Sequence, residues 1–334
     1  MNIPFRTRIT ELYGIRLPVI ASGLMWLADP GYVAAVARAG QIGFMTSASF
    51  PDPAALRAGI RRCRELAEDK PFGVNIMIRA NRDGSDRVTP LIDAVLDEGV
   101  KYVETAGNNP EPYLKRLKDA GIIVLHKVPG VRYAKKAESL GVDAVTVVGA
   151  EAGGHPGIEP VGTMVAAAAA ARTIKIPLIA AGGIGTGAQL VAALALGADG
   201  VAMGTRLLVS EEIWAHRHYK ERLVAAGETD TTLLLQSMRN TQRALKTEHV
   251  AMIQQLESDH ADTQTLLPHI MGTHARKAYE TGEYEKGLLS CGQGVVFADC
   301  IEPVAAIFSR IEAEAREAMQ RLTSLQSNDT GTST

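Results

Sequence analysis

The chain has 334 residues, a length that suits either two ordinary domains or one large barrel with additions. Hydrophobic residues make up 46% of the sequence, which is enough to bury a substantial core and excludes a mainly disordered chain. The charged fraction is 22% and the net charge is −2, so the sequence lacks the basic excess of a nucleic-acid-binding protein.

Three further patterns indicate where the protein works. No apolar run approaches the roughly 20 residues of a membrane span, and residues 1–14 carry no apolar signal segment. Cys63, Cys291 and Cys300 form no CxxC pair, which is typical of a reducing compartment and not of a disulfide scaffold or a zinc site. We therefore expect a cytoplasmic monomer or homodimer that binds no metal, no membrane and no nucleic acid.

Short apolar segments alternate with amphipathic segments along the first 206 residues. The pattern predicts eight strands, at 18–21, 42–46, 72–76, 102–105, 122–126, 144–148, 178–181 and 200–203. Helical periodicity lies between them, for example at 53–67, 88–98, 112–120, 131–140 and 188–196. Because apolar strands separated by helices indicate a covered parallel sheet, eight such units predict an α/β fold, the closed (β/α)₈ TIM barrel.

The pattern changes after Arg206. Segment 211–286 is richer in charge and is predicted to form helices without a clear strand. We therefore divide the chain into a barrel at 1–206, an added helical subdomain at 207–289 that covers the substrate pocket, and a segment at 290–322 that returns to the barrel. The polar residues 323–334 are predicted to form a flexible tail.

In a barrel of this kind, the chemistry is expected in the loops that follow the strands. The seventh strand is followed by AGGIGTG at 181–187, and the eighth by MGTR at 203–206. Glycine-rich exits leave backbone N–H groups free for an anion, and this pair of loops is the usual phosphate site of such barrels. Tight turns that need glycine are the structural alternative.

Polar side chains follow other strands. His155 lies in the small-residue loop EAGGHPG after the sixth strand, where it serves either as a base or as a structural loop residue. Lys127 ends the fifth strand and can hold an anionic charge, and Asn75 ends the third strand with an amide that suits a heterocycle. Each signal is weak alone, and their shared location strengthens them.

Seven motifs together resemble the nitronate monooxygenase family, the FMN-dependent, 2-nitropropane dioxygenase-like TIM-barrel flavoproteins. They are PFGVN (71–75), VETAGN (103–108), HK (126–127), EAGGHPG (151–157), AAGGIGTG (180–187), MGTR (203–206) and CGQG (291–294). Their order matches along residues 5–322. VETAGN and HK resemble especially a branch of the family that acts as NAD(P)H:quinone reductase.

The resemblance implies an enzyme that binds FMN at the top of the barrel and uses His155 as its catalytic residue. The residues implied to bind the cofactor are Ser22, Gly23, Asn75, Lys127, Gly154, Ala181, Gly182, Gly183, Met203, Gly204, Thr205 and Gln293. The implied activity is oxidation of alkyl nitronates by O₂ through reduced flavin. NAD(P)H:quinone reduction, with NAD(P)H as co-substrate, is the alternative, so the small-molecule partner is a nitronate, a quinone or NAD(P)H.

One segment departs from the family pattern. After the first strand the family usually has a glutamine near the flavin, whereas this chain reads Ala21-Ser22-Gly23-Leu24-Met25. Ala21 cannot make the hydrogen bonds of that glutamine, and Met25 stands where the reductase branch tends to have a polar residue. This departure bears on the activity more than on FMN binding.

A second alternative comes from a different enzyme class. A lyase or isomerase barrel would use the same glycine-rich loops for a phosphorylated substrate, with Lys127 and Glu104 as the pair that moves a proton.

Overall fold

Eight parallel strands close into a barrel in chain order, and β1 pairs with β8 to complete the ring. The computed structural model describes residues 5–79 and 84–325. The strands are β1 (Val19–Ala21), β2 (Ile42–Thr46), β3 (Gly73–Ile78), β4 (Tyr102–Gly107), β5 (Ile123–Val128), β6 (Ala144–Val148), β7 (Leu178–Ala181) and β8 (Gly200–Met203). The predicted (β/α)₈ TIM barrel is therefore confirmed, and β3, β4 and β5 each extend two residues beyond their predicted ends.

Helices cover the outside of the barrel. They are α1 (Arg8–Tyr13), α2 (Pro30–Arg38), α3 (Pro53–Ala67), α4 (Thr89–Asp97), α5 (Glu111–Asp119), α6 (Val131–Leu140), α7 (Thr163–Ala171) and α8 (Gly187–Ala195). Local chemistry sets several starts: Asp29 and Asp52 cap α2 and α3, each followed by a proline in the first turn. Thr186 and Gln189 form a capping box at α8.

The barrel interior has two layers of different character. Alternate residues of the strands point inward, and the lower positions form an apolar cluster that includes Ile20, Phe44, Leu125 and Ile179. Tyr13 of α1 packs against Phe44 from below. Toward the carboxyl ends of the strands the inward positions become polar, and this layer is Ser22, Thr46, Asn75, Glu104, Lys127 and Thr146, which we call the polar layer. The polar layer therefore rests on a solvent-excluded floor.

After β8 the chain builds an added subdomain. It contains α9 (Arg217–Val224), β9 (Thr231–Leu234), β10 (Gln242–Leu245), α10 (Glu248–Ser258), α11 (Thr263–Leu266) and α12 (Gly272–Thr281). Strands β9 and β10 form an antiparallel hairpin, so the expectation of helices without a strand at 211–286 is wrong at this point. The hairpin and α10 share a separate apolar cluster, which includes Leu234, Val250, Ile253 and Leu288.

The last helix, α13 (Val304–Ser324), returns to the barrel wall. Its Glu314 accepts a hydrogen bond from the backbone N–H of Gly187 at 2.7 Å, and its Glu312 pairs with Arg16. The predicted tail begins at Thr323, whereas α13 continues to Ser324, and residues 326–334 lie outside the described part of the chain. Within the described residues, none of the helices combines the length and apolar character needed to cross a membrane.

Candidate functional site

Glu104 lies at the centre of the polar layer, with its side chain fully buried. Its carboxylate accepts hydrogen bonds from the Ser22 hydroxyl at 2.9 Å and from the Asn75 amide at 2.6 Å. The backbone N–H of Gly23 donates to it at 3.2 Å, and Lys127 Nζ lies 3.4 Å away. Four of the predicted site residues therefore meet on one carboxylate. The predicted FMN site omits Glu104, which the sequence analysis names only for the lyase or isomerase alternative.

Strand alternation separates the two residues of the HK motif. Lys127 points into the barrel and keeps 23% of its side chain exposed, so its ammonium group reaches the mouth. His126 points outward and is buried, with Nδ1 2.8 Å from the Thr105 hydroxyl. Loss of hydration lowers the pKa of His126 to about 4. Lys127 is therefore available to a ligand, whereas His126 is a neutral structural residue.

The loops after β7 and β8 form a narrow cradle. Gly182 and Gly183 have φ values of +115° and +68°, and a Cβ at Gly182 would come 2.6 Å from Thr163 Oγ1. Thr205 Oγ1 accepts a hydrogen bond from the Gly292 N–H at 2.9 Å, which leaves its own proton free to donate. Because Gly182 and Gly183 lack side chains, the backbone of this loop is open to close approach by a ligand.

The remaining predicted residues border this cradle. The backbone N–H of Gln293 donates to the Glu151 carbonyl at 2.9 Å, which places Gln293 beside the cradle. The Met203 side chain is buried in the outer core, so only its backbone faces the loops. The Ala181 carbonyl accepts a hydrogen bond from the Gly149 N–H at 2.7 Å. The structure thus brings the β6, β7 and β8 loops together with the returning segment.

Glu151 is a second residue that the sequence-based site omits. Its carboxylate accepts hydrogen bonds from the backbone N–H of Thr163, at 2.9 Å, and from the Thr163 hydroxyl, at 2.8 Å. Glu151 therefore provides a hydrogen-bond acceptor for the first backbone N–H of α7. A cavity of about 360 Å³ lies outside the barrel between α7 and α8, and Glu151, Gly182 and Gly183 form part of its wall.

His155 occupies the loop after β6, directly after Gly154. The residue is exposed to solvent, although protein atoms surround part of the imidazole. The resulting loss of hydration lowers the pKa of His155, and the positive charge of Arg79 lowers it further. His155 is therefore uncharged at neutral pH and able to accept a proton.

The departure after β1 also has a defined place. Ala21 points outward into the main core, and Ser22 takes the inward position. The Ser22 hydroxyl donates to Glu104 and so does not replace the donor that a glutamine would supply. Trp26 follows with a φ of +67°, and its backbone N–H donates a hydrogen bond to Ser49 Oγ at 2.8 Å.

Two hydroxyls of the polar layer have no hydrogen-bond partner among the described residues. The hydroxyls of Thr46 and Thr146 are buried there, and neither is hydrogen-bonded to any residue that the structure describes. Unpaired buried hydroxyls are costly unless a ligand or water satisfies them. Gly23 packs closely against this layer, because a Cβ at this position would come 2.6 Å from the Asn75 side chain.

The three cysteines are free thiols, and burial raises the pKa of Cys63 and of Cys291 to about 12. In the described part of the chain one group has metal-ligand spacing: Asp299, Cys300 and Glu302. Arg310 contacts all three of these side chains, so their charge is already compensated by a cation.

Comparisons with known proteins agree with this architecture. The model of the nitronate monooxygenase family matches residues 6–314. A Rhodococcus jostii protein named (3aS,4S,5R,7aS)-5-hydroxy-7a-methyl-1-oxo-octahydro-1H-indene-4-carboxyl-CoA dehydrogenase is 39% identical over 245 residues, 73% of this chain and 67% of the relative. A probable nitronate monooxygenase of Staphylococcus saprophyticus is 29% identical, over 77% of this chain and 83% of the relative.

The solved structure of FabK from Thermotoga maritima superposes with a TM-score of 0.87 at 34% identity, and the match covers 96% of this chain and 99% of FabK. The family match spans most of the chain, and the relatives are named as dehydrogenases and monooxygenases. The protein is therefore an oxidoreductase, and its chain belongs to the nitronate monooxygenase family.

Proposed function

We propose that the protein is an FMN-dependent oxidoreductase whose flavin binds above the polar layer. Two observations support this proposal: the buried hydroxyls of Thr46 and Thr146 have no hydrogen-bond partner among the described residues, and the loop after β7 has glycine at both Gly182 and Gly183. Gly182, Gly183, Gly204 and Thr205 would hold the phosphate. Asn75 and Lys127 would face the ring, and Gln293 would close the site from the returning segment.

When bound, FMN would supply the redox chemistry by accepting electrons from one substrate and passing them to another. The protein's own residues handle charge and protons. His155, held neutral by its surroundings, accepts a proton from a carbon acid. Lys127 supplies positive charge at the barrel mouth, and Arg79 supplies it beside His155.

Oxidation of alkyl nitronates with O₂ is the first candidate activity. A nitronate is an anion, so it requires a nearby cation, and Arg79 is an exposed guanidinium whose charge reaches His155. A neutral nitroalkane would first lose a proton to His155 Nδ1 or Nε2.

Two other electron donors are supported by separate observations. NAD(P)H, with a quinone as acceptor, is favoured by the contact between Glu104 and Lys127, because these residues belong to the two motifs that resemble the reductase branch. An acyl-CoA is favoured by the name of the Rhodococcus jostii relative. The carbon next to a thioester carbonyl is also a carbon acid and would also need a base.

The lyase or isomerase hypothesis has weaker support. It requires Glu104 and Lys127 to move a proton on a substrate. Glu104 instead lies under Ser22 and Asn75 with its side chain fully buried, and it accepts a hydrogen bond from each.

The test begins with the absorbance spectrum of the purified protein. Flavin bands, or their appearance after reconstitution with FMN, are expected, and a protein that takes up no FMN overturns the proposal. Anaerobic mixing with propyl-2-nitronate, NADH, NADPH and a saturated acyl-CoA then identifies the donor by which compound bleaches the flavin. Bleaching by none of these donors would reject all three activities while leaving FMN binding intact.

A further inference from the structure

Glu104 is bound by groups from three other parts of the barrel wall. Ser22 and Gly23 follow β1, Asn75 belongs to β3, and Lys127 belongs to β5. The strands β3, β4 and β5 are neighbours, and Asn75 and Glu104 are register partners. A buried acid therefore joins the residues that form one half of the barrel mouth.

The contacts divide evenly between the two carboxylate oxygens. Oε1 accepts from the Ser22 hydroxyl at 2.9 Å and lies 3.4 Å from Lys127 Nζ. Oε2 accepts from the Asn75 amide at 2.6 Å and from the Gly23 N–H at 3.2 Å. Three of the four partners, the Asn75 N–H, the Gly23 N–H and the Lys127 ammonium, can only donate, and this pattern favours an ionised carboxylate. Burial of such a charge is tolerated only with this degree of pairing.

The same contacts fix what the partners present to a ligand. One N–H of the Asn75 amide donates to Glu104, so the second N–H and Oδ1 are the amide groups left for a ligand. Lys127 turns one side of its ammonium group to Glu104 and keeps 23% of the side chain exposed at the mouth. Its charge therefore reaches the mouth only after partial compensation by a carboxylate underneath.

We propose that Glu104 is a positioning residue that holds Asn75 and Lys127 toward the flavin and sets how much of the Lys127 charge the flavin experiences. This inference rests on the proposed function, because it assumes FMN at the barrel mouth. Charge near the flavin ring tunes its electronics. Removing the carboxylate charge should therefore favour the reduced flavin, and removing the lysine charge should disfavour it.

The experiment measures the flavin midpoint potential in the holoenzyme and the dissociation constant of FMN from the apoprotein. The equilibrium constant for flavin reduction is expected to be at least tenfold higher in Glu104→Gln, which corresponds to a midpoint potential about 30 mV higher for a two-electron couple. Lys127→Met is expected to lower it by a similar factor. The double variant, E104Q/K127M, should return near the wild-type value, because the two charges are removed together. Both single variants should bind FMN more weakly.

Glu98→Gln is the matched control, because Glu98 pairs with Arg61 on the outer surface. The inference is overturned if the equilibrium constant for flavin reduction in Glu104→Gln, measured with FMN bound, stays within twofold of the wild-type value. If Glu104→Gln does not fold, the midpoint potentials of K127M, E104Q/K127M and Glu104→Asp decide. The inference is rejected if the potential of the double variant is no higher than that of K127M. It is also rejected if Glu104→Asp, which keeps the charge, shifts the potential as far as removal of the charge would. A wild-type protein without flavin would reject the proposed function instead, so the two failures are distinguishable.

Discussion

Arg243 and Gly154 exchange both backbone hydrogen bonds of an antiparallel bridge, with N···O distances of 2.7 and 3.0 Å. Arg243 lies in β10 of the added subdomain, and Gly154 directly precedes His155. The Arg243 side chain strengthens the bridge, because its Nε donates to Ala150 O at 3.0 Å. It also donates to Thr231 Oγ1 at 3.2 Å. The hairpin therefore holds the loop that carries His155.

Arg243→Ala is expected to reduce kcat by about 10- to 100-fold while FMN stays bound, because small displacements of a reacting group are costly. It should also lower the free energy of unfolding by roughly 1–3 kcal/mol, since the Ala150 carbonyl loses its donor. Steady-state kinetics and thermal unfolding measure the two effects. Arg239→Ala, an exposed position in the turn of the same hairpin, is the control and should resemble wild type. Unchanged kcat in Arg243→Ala would show that the hairpin does not position His155.

His155→Ala is expected to lower turnover of a neutral carbon acid by roughly 10²–10⁴-fold with FMN retained, which is the usual contribution of a general base. The flavin absorbance of the variant checks retention. Equal turnover in variant and wild type would remove His155 from the mechanism. The effect should be much smaller with a preformed nitronate, which has no proton to lose.

The pH dependence follows from the lowered pKa of His155. A base works in its neutral form, so kcat/KM should be lost as the pH falls through that lowered pKa, which lies below the usual value of about 6.5. Arg79→Ala removes a repulsive charge, which raises the pKa of His155 and moves the acid limb to higher pH. Arg79→Lys keeps the charge and should keep the limb in place. A limb that moves equally in both variants, or in neither, contradicts this account.

Gly182→Ala should weaken FMN binding strongly, because the φ of +115° and the Thr163 hydroxyl, 2.6 Å from the new Cβ, both oppose a side chain. Titration of apoprotein with FMN measures the change. Gly227→Ala serves as the control, because nothing lies within 4 Å of its Cβ position. Equal FMN affinity in the two variants would place the phosphate elsewhere.

His126 makes the stability of the fold depend on pH. Its pKa is about 4 in the folded protein, whereas the unfolded chain has the ordinary value of 6.5. The unfolded state therefore binds the proton first, so stability falls as the pH drops from 6.5 toward 4, by up to roughly 3 kcal/mol. His126→Gln should remove this part of the slope. Denaturant unfolding at pH 7.0 and pH 4.5 compares the two proteins, and parallel losses in both would contradict the assignment.

The barrel was predictable because short, mainly apolar strands alternate with segments that mostly have helical periodicity. The hairpin was not, because β10 has the sequence Gln-Arg-Ala-Leu, which contains no apolar run. The connection between β9 and β10 has left-handed φ values at Leu235 and Arg239. A turn of this kind is usually predicted from glycine, which is absent at both positions. Asn75 and Lys127 were predicted from their positions at strand ends, and both contact Glu104. The role of Glu104 depends on contacts between distant strands, which no local pattern contains.

The attachment of α13 to Gly187 has a consequence for biosynthesis. The backbone N–H that begins α8 finds its partner in Glu314, which lies 127 residues later in the chain. A ribosome releases the amino-terminal part of a chain first, so the seventh βα unit emerges long before the carboxylate that completes it. This contact between α13 and α8 therefore forms only after translation has passed residue 314, and truncation within α13 should leave the outer face of α8 exposed.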